Sequence, residues 1–228
     1  MFTLDVFRDL YHGHKPSKEI QVVAEQIVPI RHCVMTIGDS DLSAIERVYS
    51  HPQVWGQCDV WFKQHLPNAT KIDASSTAQA VELVKNDPHS AAIASSAAGK
   101  LHGVPVVVDN ISNTNDNSTR FLVLTKITTA APYPGKEPSR SYRTLLCFIV
   151  EKSLPGSLHR CLGYFANRGV NLTWIMSRPS GVKQWDYVMF IEVVGHRDDP
   201  AIMEALSEIQ AIAYEFTVIG SFQLVGSH

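Results

Sequence analysis

The chain has 228 residues, 45% of them hydrophobic and 18% charged, with 20 basic against 22 acidic side chains and a net charge of −2. That balance excludes a disordered chain and leaves room for one large domain or two small ones. No Lys/Arg run stands out and no stretch approaches the roughly 20 apolar residues of a membrane helix, so neither nucleic acid nor a membrane is expected as a partner. The opening Met1-Phe2-Thr3-Leu4-Asp5 lacks the basic and apolar blocks of a secretory signal. Cys33, Cys58, Cys147 and Cys161 form no CxxC pair and read as reduced, mostly buried thiols of a cytoplasmic protein. The scattered histidines offer no ligand spacing, so no metal site is expected.

Up to residue 126, strand and helix patterns alternate. Ile20 to Ile37 is rich in Val and Ile and interrupted by Pro29, which predicts two strands. Asp41 is placed to cap a helix with Leu42, Ile45, Val48 and Tyr49 on one face. Ser50-His51-Pro52 predicts the next helix start, with Ser50 at the N-cap and Pro52 in the first turn. Val54, Trp55, Cys58, Trp61 and Phe62 form its apolar stripe; Gln53, Gln57 and Gln64 lie on its polar side. Strand Lys71–Ala74 leads through Ser75 and Ser76 into a helix from Thr77 to Lys85, and strand Ala91–Ser95 into a helix closed by Gly103. Val104–Val108 and Arg120–Thr125 read as strands. Such units predict an α/β sheet with helices on its faces.

Residues 127–140, ITTAAPYPGKEPSR, hold three prolines and a glycine without an apolar period and read as a linker. Beyond it come strand Thr144–Glu151, a helix from Pro155 with Leu158, Cys161, Leu162, Phe165 and Ala166 on one face, and a stop at Gly169. Strands Asn171–Ser177 and Trp185–Val194 flank a Pro179-Ser180-Gly181 turn; a helix striped by Ile202, Ala205, Leu206 and Ile209 and a strand Tyr214–Phe222 follow. The order βαββαβ is ferredoxin-like. The expected division is residues 1–126, a linker at 127–140, and a second domain at 141–223.

Five segments carry a resemblance. Val48-Tyr-Ser-His-Pro-Gln53 with Gln57-Cys58, Ala91-Ala-Ile-Ala-Ser95 and Asn117-Ser-Thr-Arg-Phe121 resemble the prephenate dehydratase family, the last being similar to its Thr-Arg-Phe signature. Pro155-Gly-Ser-Leu158 and Asn171-Leu-Thr-Trp-Ile-Met-Ser-Arg-Pro179 resemble the effector motifs of a phenylalanine-sensing ACT domain. The resemblance implies a two-lobed dehydratase domain of periplasmic-binding-protein-like type, then a ferredoxin-like ACT domain. It implies conversion of prephenate to phenylpyruvate with loss of water and carbon dioxide, no metal and no organic cofactor. L-Phenylalanine is the implied effector, acting on a homodimer or homotetramer joined through ACT domains. Arogenate dehydratase and a non-catalytic phenylalanine-binding module are the alternatives. The family's Gly-rich opening and Glu-Asn-Ser segment precede its Thr-Leu-Asp helix, here Thr3-Leu4-Asp5, so the dehydratase domain is expected to lack its front. Met176 stands where the effector motif has Glu, and Ser157 where it has Ala.

Prephenate carries two carboxylates and a ring hydroxyl, so its dehydration needs groups to hold anions and a donor to the leaving oxygen. The resemblance assigns that donor to Thr119; the residue alone also reads as a strand-end hydroxyl bonded to backbone. Strand alternation sends Arg120 to the face opposite Thr119 and Phe121, leaving Arg120 either to bind substrate or to hold the lobe together. By resemblance Ser50 and Gln57 line the cleft as catalytic residues; by periodicity they are a capping Ser and a solvated Gln. Ser75, Ser76 and Thr77, at a helix N-terminus, suit a substrate carboxylate or simple capping equally. Leu154, Gly156, Ser157, Leu158, Asn171 and Leu172 resemble the effector pocket. Ser177 and Arg178 resemble the strand end coupling it to the catalytic domain.

Overall fold

The computed structural model describes residues 20–37, 41–126, 136–137, 140–150, 155–180 and 186–224. The helix expected at Thr3-Leu4-Asp5, most of the expected linker, Leu154 and Gly181 lie outside the described residues.

β1 (Ile20–Pro29) ends at its proline and β2 (Cys33–Met35) follows. Asp41 does cap, its carboxylate accepting from Ser43 N at 2.9 Å, but it caps only a 3-10 turn, Leu42–Ala44. The expected helix through Val48 and Tyr49 is corrected to β3 (Arg47–Ser50), which pairs in parallel with β4 (Thr70–Asp73) and β5 (Ser90–Ala94). Two flanking strands satisfy its backbone groups, and that pairing overrides a helical spacing of only four apolar residues. Ser50 therefore closes a strand. His51 takes the N-cap of α1 (Pro52–Trp55), its Nδ1 accepting from Gln53 N at 3.3 Å. The apolar stripe continues not on one helix but into α2 (Asp59–His65). Then come α3 (Thr77–Val84), α4 (Ser96–His102) closed by Gly103 at φ 69°, β6 (Val106–Val108) and β7 (Ser118–Lys126).

Residues 27–119 form one compact unit around a sheet of order β4-β3-β5-β2-β6. β5 is buried along its whole length, as a strand covered on both faces must be. Val34, Val48, Ala91 and Ile93 pack on Val54, Cys58 and Phe62 from one side. Cys33, Met35, Ala92 and Ala94 pack with Ala80, Val81 and Val84 on the other. Arg47 grips Asp87 through Nε and Nη2, both at 2.7 Å, and holds that carboxyl down to about 2.

The other unit comprises residues 1–26 and 120–228. It contains β8 (Tyr142–Val150), α5 (Ser157–Ala166), β9 (Leu172–Pro179), β10 (Tyr187–Val194), α6 (Pro200–Ile212) and β11 (Ala213–Gln223). The order β11-β8-β10-β9 is the ferredoxin-like arrangement, and the whole sheet reads β7-β1-β11-β8-β10-β9. Strands from before residue 127 thus extend the sheet built after residue 140. β1 lies parallel to β11, Ala24 beside Gln223. The approach is close: a Cβ on Gly220 would stand 2.1 Å from the Val22 carbonyl oxygen, so only glycine fits. Leu146, Phe148, Ile191 and Val193 face the helices, meeting Phe165, Ile202 and Ile209. Leu145, Cys147, Val188 and Phe190 take the opposite face with Val22 and Phe222. Each such buried Phe contributes about 2–3 kcal/mol.

Candidate active site

Gln57 sits in the turn between α1 and α2, where its side-chain oxygen receives two donors. Asn117 Nδ2 donates to Gln57 Oε1 at 2.9 Å, and His32 Nε2 stands 2.8 Å from the same oxygen. An amide oxygen only accepts, so the pair requires His32 to carry its proton on Nε2. Gln57 Nε2 donates to the Gln53 carbonyl at 3.2 Å, leaving its second hydrogen for another acceptor. Asn113 fixes the turn itself. Its N donates to Gln57 O at 2.7 Å, its Nδ2 to Gly56 O and Asp59 Oδ1, and its Oδ1 accepts from Val60 N. Lys63 first, and then Asn113, hold the Asp59 carboxyl below its usual pKa. A cavity of about 200 Å³ lies beside this turn, lined by Trp61, Gln64, Asn110 and Asn113 among others.

The sequence reading missed His32, Asn113 and Asn117. For Asn117 a signal existed: it opens the Asn117-Ser-Thr-Arg-Phe121 segment, two residues before Thr119. Asn113 and His32 had none, because single polar residues in a loop look alike.

Thr119 is exposed near the start of β7, and Phe121, on the same side of the strand, is 50% exposed. Ser50 is a correction. Its side chain is wholly buried at the end of β3 and its hydroxyl donates to Ile93 O at 2.7 Å, so it secures β3 to β5. Of the two roles open to Arg120, the contacts bear on that of holding structure together: its guanidinium is bound by Glu25 and Glu192, at 2.6 Å each.

At the start of α3, Ser76 Oγ accepts from Gln79 N at 3.1 Å while Gln79 Oε1 receives both the N and Oγ of Ser75 at 2.7 Å. This is a capping arrangement that occupies both serine side chains; Thr77 begins the helix behind them.

In the ferredoxin-like part, Gly156 at φ 80° opens α5, with Ser157 buried in its first turn and Leu158 packed on the helix-side core. The Asn171 carbonyl accepts from Val194 N at 2.9 Å, and Leu172 joins the same core. Met176 lies opposite Phe190, Ser177 opposite Met189 and Arg178 opposite Val188. Burial pushes the thiols of Cys58 and Cys147 up to about 12 and that of Cys161 to about 11, so these three are protonated near neutral pH. Among the described residues, no group of three or more His, Cys, Asp or Glu could hold a metal ion.

A family model described as prephenate dehydratase matches residues 2–129, and one described as the ACT domain matches residues 145–210. The chain is 34% identical over 221 residues to a bifunctional chorismate mutase/prephenate dehydratase of Aquifex aeolicus, covering 97% of this chain and 56% of that protein. It is 31% identical to a prephenate dehydratase of Lactococcus lactis, covering 93% of this chain and 74% of the relative. The solved structure of prephenate dehydratase from Arthrobacter aurescens in complex with L-Phe matches with a TM-score of 0.83 at 29% identity, over 96% of this chain and 70% of that one. The chain spans about half the length of the bifunctional relatives. On the reach of these matches, the chain belongs to the prephenate dehydratase family and carries an ACT domain after its dehydratase segment.

Proposed function

We propose that this chain takes part in dehydrating prephenate to phenylpyruvate, on the route to L-phenylalanine, under feedback by phenylalanine through the ACT domain. The observation that best supports this is the bond from Asn117 to Gln57, which joins two family-like motifs 60 residues apart in the chain. In this reading Thr119, two residues on, donates a hydrogen bond to the departing ring hydroxyl, and aromatisation drives the loss of carbon dioxide. The remaining amide hydrogen of Gln57 is available to a substrate oxygen. Main-chain N–H groups in the first turn of α3, rather than the committed side chains of Ser75 and Ser76, suit a substrate carboxylate. Phe121 shares the Thr119 side of β7 and supplies an apolar wall for the ring.

Gly156, Ser157, Leu158, Asn171 and Leu172 form the effector pocket in the same reading, with Ser177 and Arg178 carrying its state onward. The functional division is residues 1–126 and 141–223, with association into a dimer or tetramer through the ACT domains, in the cytoplasm. Thr119→Ala is expected to lower turnover at least about tenfold with the fold intact, since one hydrogen bond made in a buried transition state is worth about 2–4 kcal/mol. The assay follows phenylpyruvate from prephenate and, in parallel, phenylalanine from arogenate. Unchanged turnover in Thr119→Ala would remove Thr119 from the mechanism. Phenylalanine binding without either product would favour the non-catalytic module instead.

A further inference from the structure

A cluster of four charged side chains, two buried carboxylates and two half-buried guanidinium groups, lies on the six-stranded sheet, and the candidate chemistry does not use it. Glu25 and Glu192 are each only 2% exposed at the side chain, and both reach Arg120: Glu25 Oε2 to Nε at 2.6 Å and Glu192 Oε2 to Nη2 at 2.6 Å. Arg143 Nη1 balances the second negative charge, 3.3 Å from Glu192 Oε1 and 3.9 Å from Glu25 Oε2. The Arg120 guanidinium also lies over the Phe222 ring, 5.6 Å from its centroid. β1 gives Glu25, β7 Arg120, β8 Arg143, β10 Glu192 and β11 Phe222.

β9 joins through an irregularity. Glu192 pairs with Trp174 while Val193 pairs with Leu172, so Thr173 is the extra residue of a bulge. Leu172 consequently packs on the helix side and Trp174 on the opposite face, and the Thr173 hydroxyl donates to Glu192 Oε1. All six strands therefore meet at one site.

We propose that this cluster is a positioning device: Glu25 and Glu192 hold Arg120, and through it set the strand that presents Thr119, while Thr173 ties the same carboxylate to the effector motif. The inference rests on the reading of Thr119 as the hydrogen-bond donor and of Asn171-Leu172 as part of the effector pocket. Thr119 precedes Arg120 on β7, so two charge-assisted hydrogen bonds on the second residue constrain the backbone of the first. A buried carboxylate shared between two guanidinium groups and a threonine cannot shift one partner without disturbing the others. Strand β9, which begins at the effector motif, is one of those partners.

The test uses Glu192→Gln, which keeps the shape and removes the charge. Amide exchange at Thr119 to Leu122 should quicken at least about tenfold while β5 amides keep their rates. For prephenate, kcat should fall at least about tenfold with KM within about threefold, the split expected when positioning rather than binding is lost. Thr173→Val should bind phenylalanine with near-native affinity in calorimetry yet be inhibited at least about fivefold more weakly, because the coupling and not the pocket is cut. Wild-type exchange rates on β7 in Glu192→Gln overturn the device whatever the activity. An intact β7 response in a protein whose wild type leaves prephenate untouched sinks the reading of Thr119 and, with it, the catalytic half of the proposal. If Glu192→Gln does not fold, Arg143→Lys, which keeps the charge but loses reach, must give the same pair of readouts or the device is wrong.

Discussion

The two units hold their polar groups in opposite ways. In residues 27–119, Gln57 is fixed by His32, Asn117 and the Gln53 carbonyl, each contributing one hydrogen bond. In the six-stranded sheet, four charges are fixed by one another, two of them almost sealed from water. A neutral bond exchanged against water is worth about 1 kcal/mol, and its loss is local. A buried carboxylate deprived of its guanidinium has no such fallback, because desolvation of the remaining charge goes uncompensated. The first arrangement tolerates adjustment around a ligand. The second allows either the whole set or none of it.

The contrast breaks most sharply at Glu192. Truncation to Ala leaves Arg120 with Glu25 alone and takes from Arg143 its nearer carboxylate, and should cost about 2–3 kcal/mol in urea unfolding, whereas replacing all four charges together by apolar side chains should cost less. Equal costs for the two changes would mean the charges act independently. Asn117→Ala leaves His32 on the Gln57 oxygen and should cost only about 0.5–1.5 kcal/mol, by the same measurement. A loss as large as that of Glu192→Ala would put the two regions in one class. The smallest effect is one of pH. Arg47, first, and then Tyr49 hold Asp87 down to about 2 against an ordinary value near 4, so its contribution is complete above about pH 4 and is lost as pH falls toward 2. Thermal melting between these pH values should therefore weaken residues 27–119 in the wild type, and less so in Asp87→Asn.

The sequence made the ACT half legible because its helices and strands are long and keep a single period. Leu158, Cys161 and Phe165 could lie only on a helix, and Leu146 and Phe148 alternate with Leu145 and Cys147 as a two-faced strand requires. The stretch from Leu42 to Ser50 was misread because its apolar residues suit either period and the deciding partners, β4 and β5, come later in the chain. Ser50 looked like a cap because Pro52 marks a helix start without saying which residue before it turns. At the site, Thr119 and Gln57 came from motif resemblance, while the neighbours that orient Gln57 needed coordinates. The extension of the sheet by β1 was invisible, since its parallel pairing with β11 leaves no turn between the two strands. Glu192 inside Phe190-Ile191-Glu192-Val193-Val194, like Glu25 after Val22-Val23-Ala24, was a written hint that a charge lay buried there.

The close passage of Val22 beside Gly220 also sets an order of events during synthesis. β1 leaves the ribosome almost two hundred residues before the strand it lies beside, Ala24 being paired with Gln223. Residues 27–119 can close their own sheet well before that, since every strand of it lies within that span. β1 can gain β7 in the interval, but a two-stranded ribbon is marginal in water by itself. The charges of Glu25 and Arg120 stay hydrated until Glu192 and β11 arrive. The sheet is completed only once β11 is made, and the nascent chain must keep β1 free to receive it.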